Sequence, residues 1–147
     1  MKARTRARAV ALQALYEIDM ADHPPNLVVH GRLSDTELED NMAEFVSEIV
    51  AGVWPIRTDA DVFIAEHAPE WPLNQVAIIE RNILRIALWE FAVSENCPFK
   101  VAINEAVELA KMFGSDSSPR FINGVLGSLA PRQNEIRQSL HHLQHPT

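Results

Sequence analysis

The residues best suited to chemistry in this chain are cations and aromatics at the starts of two helices. Lys2, Arg4, Arg6 and Arg8 put four of the thirteen basic residues in the first eight positions, and no acid occurs before Glu17. A helix is expected from about Thr5, so these bases stand at or before a helix N-terminus. Free backbone N–H groups there already carry partial positive charge. Cations at such a place repel unless an anion offsets them. A nucleic-acid phosphate is such an anion, and each contact adds salt-dependent affinity. Arg120 and Phe121 repeat the arrangement. They follow Ser117, Ser118 and Pro119 at the start of a later helix. The serines can hydrogen-bond to backbone or phosphate, and Phe121 can stack on an unpaired base, worth about 1–3 kcal/mol. By residue type alone, Phe121 reads first as an ordinary core aromatic and Arg120 as an ordinary surface charge, with the RNA roles as the alternatives. Both alternatives stay open at this point.

Catalysis has less to build on. No glycine-rich loop follows a strand, and neither His-Glu-x-x-His nor Cys-x-x-Cys occurs. No local signature supports a Ser/His/Asp triad. His141, His142 and His145 invite a metal reading, but no nearby carboxylate or thiol completes a site, and a polar tail helix is expected instead. The chain therefore reads as a non-enzyme without cofactor or metal. The single cysteine, Cys97, excludes an internal disulfide, fits a reducing cytoplasm and reads as a small apolar loop residue. No run of about 18 apolar residues is present, and no signal-peptide core follows the basic start. The net charge of −7 suits a nucleic-acid binder poorly until its distribution is considered. From Ala9 to Val53 there are nine acids and one base, Arg32. A basic patch on an acidic body implies two partners of different character.

The elements that must position these residues all read as helix. In the first, to about Met20, Ala7, Val10, Ala11, Ala14, Leu15 and Ile18 form one apolar stripe. Pro24-Pro25 ends it, and only a weak helical turn is expected around Leu27–His30. Ser34 with Glu37 matches a capping box for a helix to Trp54, where Pro55 is expected to break the chain. Thr58 or Asp59 then caps a further helix. Pro69 and Pro72 bracket a turn at Trp71. Leu73 to about Val93, apolar nearly all round, is expected to be the central helix. On it, Arg81 and Arg85 are like charges one turn apart and need partners, with Glu80, Glu90 or an external carboxylate as candidates. The stretch from Pro98 to Phe113 is a broad-faced helix, with Gly114 as its left-handed cap. Glu105 favours that helix's N-terminal dipole, and Asn104 ties it to a neighbour. Gly124, inside the next helix, costs about 1 kcal/mol against alanine, which a close helix approach would explain. Ile136, Leu140 and Leu143 predict one more helix in the tail. The reading divides the chain into a helical domain over 1–131 and a partly helical tail over 132–147.

Three segments in order resemble the NusB transcription antitermination family. They are Arg4-Thr-Arg-Ala-Arg-Ala-Val-Ala-Leu-Gln-Ala-Leu-Tyr16, Ile83-Leu-Arg-Ile-Ala-Leu-Trp-Glu90, and Pro98 through Leu126. The last is the most specific, through Val101-Ala-Ile-Asn-Glu-Ala-Val-Glu-Leu-Ala-Lys111 and Phe121-Ile-Asn-Gly-Val-Leu126. The resemblance implies an all-α fold of about seven helices in two roughly perpendicular three-helix units. It implies binding to boxA, a short single-stranded RNA element in leaders of ribosomal RNA operons. It also implies a heterodimer with NusE, a small-subunit ribosomal protein, within a complex of other Nus factors and RNA polymerase that suppresses premature termination. Some members form homodimers.

Carried over by position, Lys2, Arg4, Arg6, Arg8 and Tyr16 on the first helix, and Ser117, Ser118, Arg120, Phe121 and Asn123 on the later one, fall on the RNA side. Glu80 matches an acidic position on the NusE face. Three residues depart from the family pattern: Trp89 stands for the usual tyrosine, Pro119 for a polar residue or glycine, and Gly127 for an acid. Two other readings remain. One is a NusB-like accessory domain of an RNA cytosine methyltransferase. The other is a structural helical adaptor that uses its acidic face.

Overall fold

The computed structural model describes residues 2–67 and 77–144, with only the helical backbone at 142–144. Trp71, its bracketing Pro69 and Pro72, the start of the expected central helix at Leu73, and the side chains of His142, Leu143 and His145 lie outside the described residues. All regular structure among the described residues is helical. Seven α-helices follow in order: α1 Ala3–Ala21, α2 Pro25–Ser34, α3 Asp40–Glu66, α4 Ile78–Trp89, α5 Phe99–Phe113, α6 Ser118–Leu129 and α7 Gln133–Gln144. A π turn, Glu90–Ser94, extends α4, and a 3-10 turn, Ala130–Arg132, joins α6 to α7. None of these helices is long and apolar enough to cross a membrane.

The helices α1, α2 and α3 form one group and α4, α5 and α6 the other, with α1 and α3 both packed on α4. The stripe expected on α1 is buried throughout, from Ala7 to Ile18. The helix ends at Asp22, which takes a left-handed φ of 56° while its N–H bonds to the Ile18 carbonyl at 3.0 Å. On α4, Asn82 through Trp89 are all buried, as expected of a helix with neighbours on every side. The tail is part of the same core. Ile136 and Leu140 of α7 are fully buried, and α7 packs on α3 and the π turn.

Several local expectations fail for identifiable reasons. The weak turn after Pro24 is a ten-residue helix, helped by Pro25 at its first position. Ser34 does not cap α3. It is the last residue of α2, and its hydroxyl donates back to the His30 carbonyl at 2.9 Å. Pro55 does not end α3, so neither Thr58 nor Asp59 caps a new helix. Pro55 faces solvent, while Val53 and Ile56 beside it are fully buried, so packing on both sides outweighs one missing backbone hydrogen bond. Gly114 is not left-handed: its φ is −92° and ψ −172°. It is required for space instead, because a Cβ there would sit 2.5 Å from the Cβ and Oγ of Ser118. Gly124 does not serve a close helix approach, since a Cβ on it would meet open space.

Arg81 and Arg85 find neither Glu80 nor Glu90. Arg85 makes a two-pronged pair with Asp61 of α3 at 2.8 and 2.6 Å, and both arginines donate to Asp19 of α1 at 3.0 Å. Asn82 adds a third donor to Asp19 at 3.2 Å. This network ties α1, α3 and α4 together. Burial alone would raise the Asp19 carboxyl, but the Arg81 hydrogen bond and the charges of Arg85 and Arg81 hold it below its ordinary value.

Candidate nucleic-acid interface

The basic start of α1 divides into residues that face in and residues that face out. Arg8 faces in. Its guanidinium is 4% exposed and makes a two-pronged pair with Glu90 of the π turn at 2.6 and 2.9 Å. It also lies 3.4 Å from Glu105 of α5, which accepts a 3.0 Å hydrogen bond from the Thr5 hydroxyl. Arg8 is thus held by carboxylates inside the fold, unlike the other cations that its position groups with the RNA residues. The sulfur of Cys97 completes the cluster 3.5 Å from Glu90. Burial pushes that thiol up to about 12, with the Glu90 charge and hydrogen bond adding to it. Glu105 thus acts as a tie between α1 and α5.

Lys2, Arg4 and Arg6 face out. The first turn of α1 carries no acid and no side-chain cap. Arg4 is held by an aromatic that the sequence marks only as core. Its guanidinium carbon lies 4.0 Å from the ring centroid of Phe45, and that of Arg8 lies 5.5 Å from the same ring. A guanidinium lying on a ring keeps its in-plane N–H donors directed outward. No sequence signal separates Phe45 from the other apolar residues of α3.

At the second helix start, the loop 114–118 is cross-bonded. The buried Ser118 hydroxyl accepts the Ser115 N–H at 2.9 Å, and the Ser115 hydroxyl lies 3.1 Å from it. Ser118 is thus committed to shaping the loop. Ser117 is exposed, with its hydroxyl 3.2 Å from that of Ser115. Arg120 and Asn123 are exposed on α6, on the same face as Gly124 and Gly127. Phe121 is half-buried against the core.

The two starts are linked through α5. Thr5 and Arg8 meet Glu105, while Tyr16 shares a cavity of about 510 Å³ with Phe113, the last residue of α5. The helices α1 and α5 therefore run alongside in the same direction, and Tyr16 lies level with the loop that leads to Arg120. Arg4 and Tyr16 are about 18 Å apart along α1. Gln13, Arg32 and Ile79 also line the cavity, and Arg32 is paired with Glu17 at 3.1 Å. Glu80 is half-exposed in the first turn of α4, the residue after Ile79.

One pattern spans the surface. Arg8, Arg32, Arg81, Arg85, Lys111, Arg132 and Arg137 are all ion-paired. Among the described residues, the lysines and arginines without an ion pair are Lys2, Arg4, Arg6, Arg57, Lys100 and Arg120. Arg57 stacks on Trp54, 3.7 Å from its ring. The other five stand at the starts of α1, α5 and α6. Lys100, in the first turn of α5, is an addition to the residues the sequence singled out. The described residues hold no group of three metal-ligating side chains.

Fold and surface together define a small all-α protein that gathers its unpaired cations at helix starts. The chain belongs to the NusB family, whose model matches residues 5–131. It is 47% identical over 134 residues to the transcription antitermination protein NusB of Roseiflexus castenholzii, covering 90% of this chain and 94% of that one. The solved NusB of T. maritima superposes with a TM-score of 0.82 at 26% identity, over 93% of this chain and 98% of that one. A second solved structure, of antitermination factors NusB and NusE in complex with double-stranded RNA, contains a chain of the same fold. Its TM-score is 0.76 at 21% identity, over 95% of this chain and 98% of that one.

Proposed function

We propose that this chain is a transcription antitermination factor that binds the boxA element of ribosomal RNA leaders together with NusE, as part of a complex with other Nus factors and RNA polymerase. The observation that carries the reading is the gathering of unpaired cations at helix N-termini on a chain of net charge −7. Cations placed there work against the helix dipole, and an RNA backbone reverses that sign. Lys2, Arg4, Arg6, Lys100 and Arg120 take phosphates. Tyr16 and Phe121 offer faces to unpaired bases, while Ser117 and Asn123 supply hydrogen bonds beside Arg120. Ser118 shapes the loop and Arg8 anchors α1. Glu80 lies on the face turned to NusE, where an acidic surface suits a basic ribosomal protein. The work is binding rather than catalysis.

The match to antitermination proteins over nearly their whole length favours this reading over an accessory domain of a methyltransferase. Titration of labelled boxA RNA and of a scrambled strand, each with NusE present, tests it. The expected result is tighter binding of boxA, with Arg6→Ala and Arg120→Ala each lowering the salt slope by about one. Equal, weak binding of both strands sinks the proposal.

A further inference from the structure

We propose that the groove between α2 and α3 is a docking site for a basic amphipathic helix of a partner protein. The groove has a volume of about 430 Å³. Its walls are Pro25, Val29 and Leu33 of α2 and Ser47, Val50 and Ala51 of α3, with Asn26 and His30 as polar residues on the α2 side. These walls are mostly apolar because α2 spends little of its apolar surface on the core. Only Val28 of that helix is buried, and Leu27 is 64% exposed. A cleft between two packed helices takes the apolar ridge of a third.

Charge specifies the occupant. Asp40, Glu44 and Glu48 follow one another at four-residue spacing on the exposed side of α3. The first two continue the line of Ser47 and Ala51 toward the helix start. Asp35, Glu37 and Glu39 lie in the loop between the two helices, where Glu37 and Glu39 face a second hollow shared with Arg6 of α1. All six carboxylates are exposed, and none makes an ion pair. Arg32 of α2 is paired with Glu17 on α1, and Arg6 of α1 borders Glu37 and Glu39 without an ion pair to either. An acidic rail beside an apolar cleft selects a partner helix with leucine-like residues on one face and lysine or arginine along its flank, and it repels an acidic helix or a nucleic acid. The backbone of α3 adds a polar group to those of Asn26, His30 and Ser47. Pro55 has no N–H to give the Ala51 carbonyl, so that acceptor lacks its usual donor inside α3.

The test uses the full chain and a labelled 14-residue peptide with leucines at helical i, i+3, i+4 spacing and lysines elsewhere, followed by fluorescence anisotropy. Two controls accompany it: the same composition scrambled, and a version with glutamate in place of lysine. The designed peptide is expected to bind at least about tenfold more tightly than either control. Ala51→Trp, an exposed change that fills the cleft, is expected to abolish binding. Glu44→Lys with Glu48→Lys is expected to weaken it about tenfold or more. Affinity for boxA RNA is expected to be retained by Ala51→Trp, which separates failure here from failure of the RNA reading. Val29→Gln serves as a second cleft variant, with circular dichroism to show that each variant is folded. Three results overturn the proposal: no binding to the wild-type chain, equal binding of the scrambled basic peptide, or undiminished binding to both folded cleft variants.

Discussion

Replacing Glu90 by glutamine tests the division between inward and outward cations. The substitution keeps the shape of the side chain and removes its charge, leaving the Arg8 guanidinium, 4% exposed, with a neutral partner. Breaking a buried ion pair from one side costs about 3–5 kcal/mol. Glu105 stays within 3.4 Å of Arg8 and supplies part of the lost attraction, which places the expected cost at the lower end. At about 3 kcal/mol, and with about 2–4 °C lost per kcal/mol in a chain of this size, the melting temperature falls by about 6–12 °C. The decisive arm is the double variant Arg8→Met, Glu90→Met. It removes both charges together and is expected to recover most of the loss, because a buried pair is often replaceable by packed apolar residues. If Arg8 is structural, the folded double variant also keeps its affinity for boxA RNA and its salt slope. Thermal and urea melts measure the first result and titrations at several salt concentrations the second. A loss below about 1 kcal/mol for Glu90→Gln refutes the energetic argument. A salt slope lower by about one in the double variant returns Arg8 to the phosphate contacts.

Phe45→Leu is expected to weaken RNA binding about two- to fivefold, matching about 0.5–1 kcal/mol for a cation stacked at an exposed site. In an Arg4→Ala background it should change nothing, and an equal loss in both backgrounds would make Phe45 a purely structural residue. Asp19 gives an acid-stability signature. Its folded carboxyl lies below the ordinary 3.8, so its stabilisation is fully present above that value and is lost as pH falls through the lower folded value. Asp19→Asn should therefore flatten the dependence of stability on pH in the acid range, and urea midpoints that fall as steeply as in the wild type would contradict this. Cys97, pushed up to about 12 from 9.0, should react with an alkylating reagent at neutral pH far more slowly in the folded chain than in urea. With roughly a thousandfold less thiolate present, a folded rate equal to the unfolded one would show the thiol to be free of Glu90.

Much of the fold is legible because helix periodicity records burial. The stripe on α1 and the buried run of α4 follow from side-chain spacing, although α4 begins at Ile78, after Ala77, rather than at Leu73. Local punctuation is less dependable. Ser34 and Glu37 have the form of a capping box, yet the same serine can bond backward to His30 and finish α2. Pro55 reads as a stop, yet the buried residues on either side of it hold α3 together over 27 residues. Both errors share a cause. Capping and proline effects amount to about 1–3 kcal/mol, while burying the neighbouring aliphatic side chains is worth about as much for each residue. Ion-pair partners are harder still to read. Asp19 and Asp61 come from helices that meet α4 only in the folded chain, so sequence neighbours such as Glu80 are the wrong place to look.

The cations show most plainly what a sequence holds about a surface and what it leaves out. The cluster Lys2, Arg4, Arg6 and Arg8 is visible as residue types, but its division is not. The turn of the helix alone puts Arg4 and Arg8 near one face, and both do meet Phe45. Only the arrival of Glu90 and Glu105 makes one an internal strut and leaves the other available. Lys100 is overlooked for the complementary reason. As a lone lysine it carries no pattern, and it gains meaning only when every interior cation has been matched to its carboxylate or ring. What is left over is then a set of charges at helix starts, where the backbone itself favours an anion. A folded chain that neutralises its interior cations so thoroughly, yet leaves these exposed against the helix dipole, has placed its cost where a polyanion can offset it.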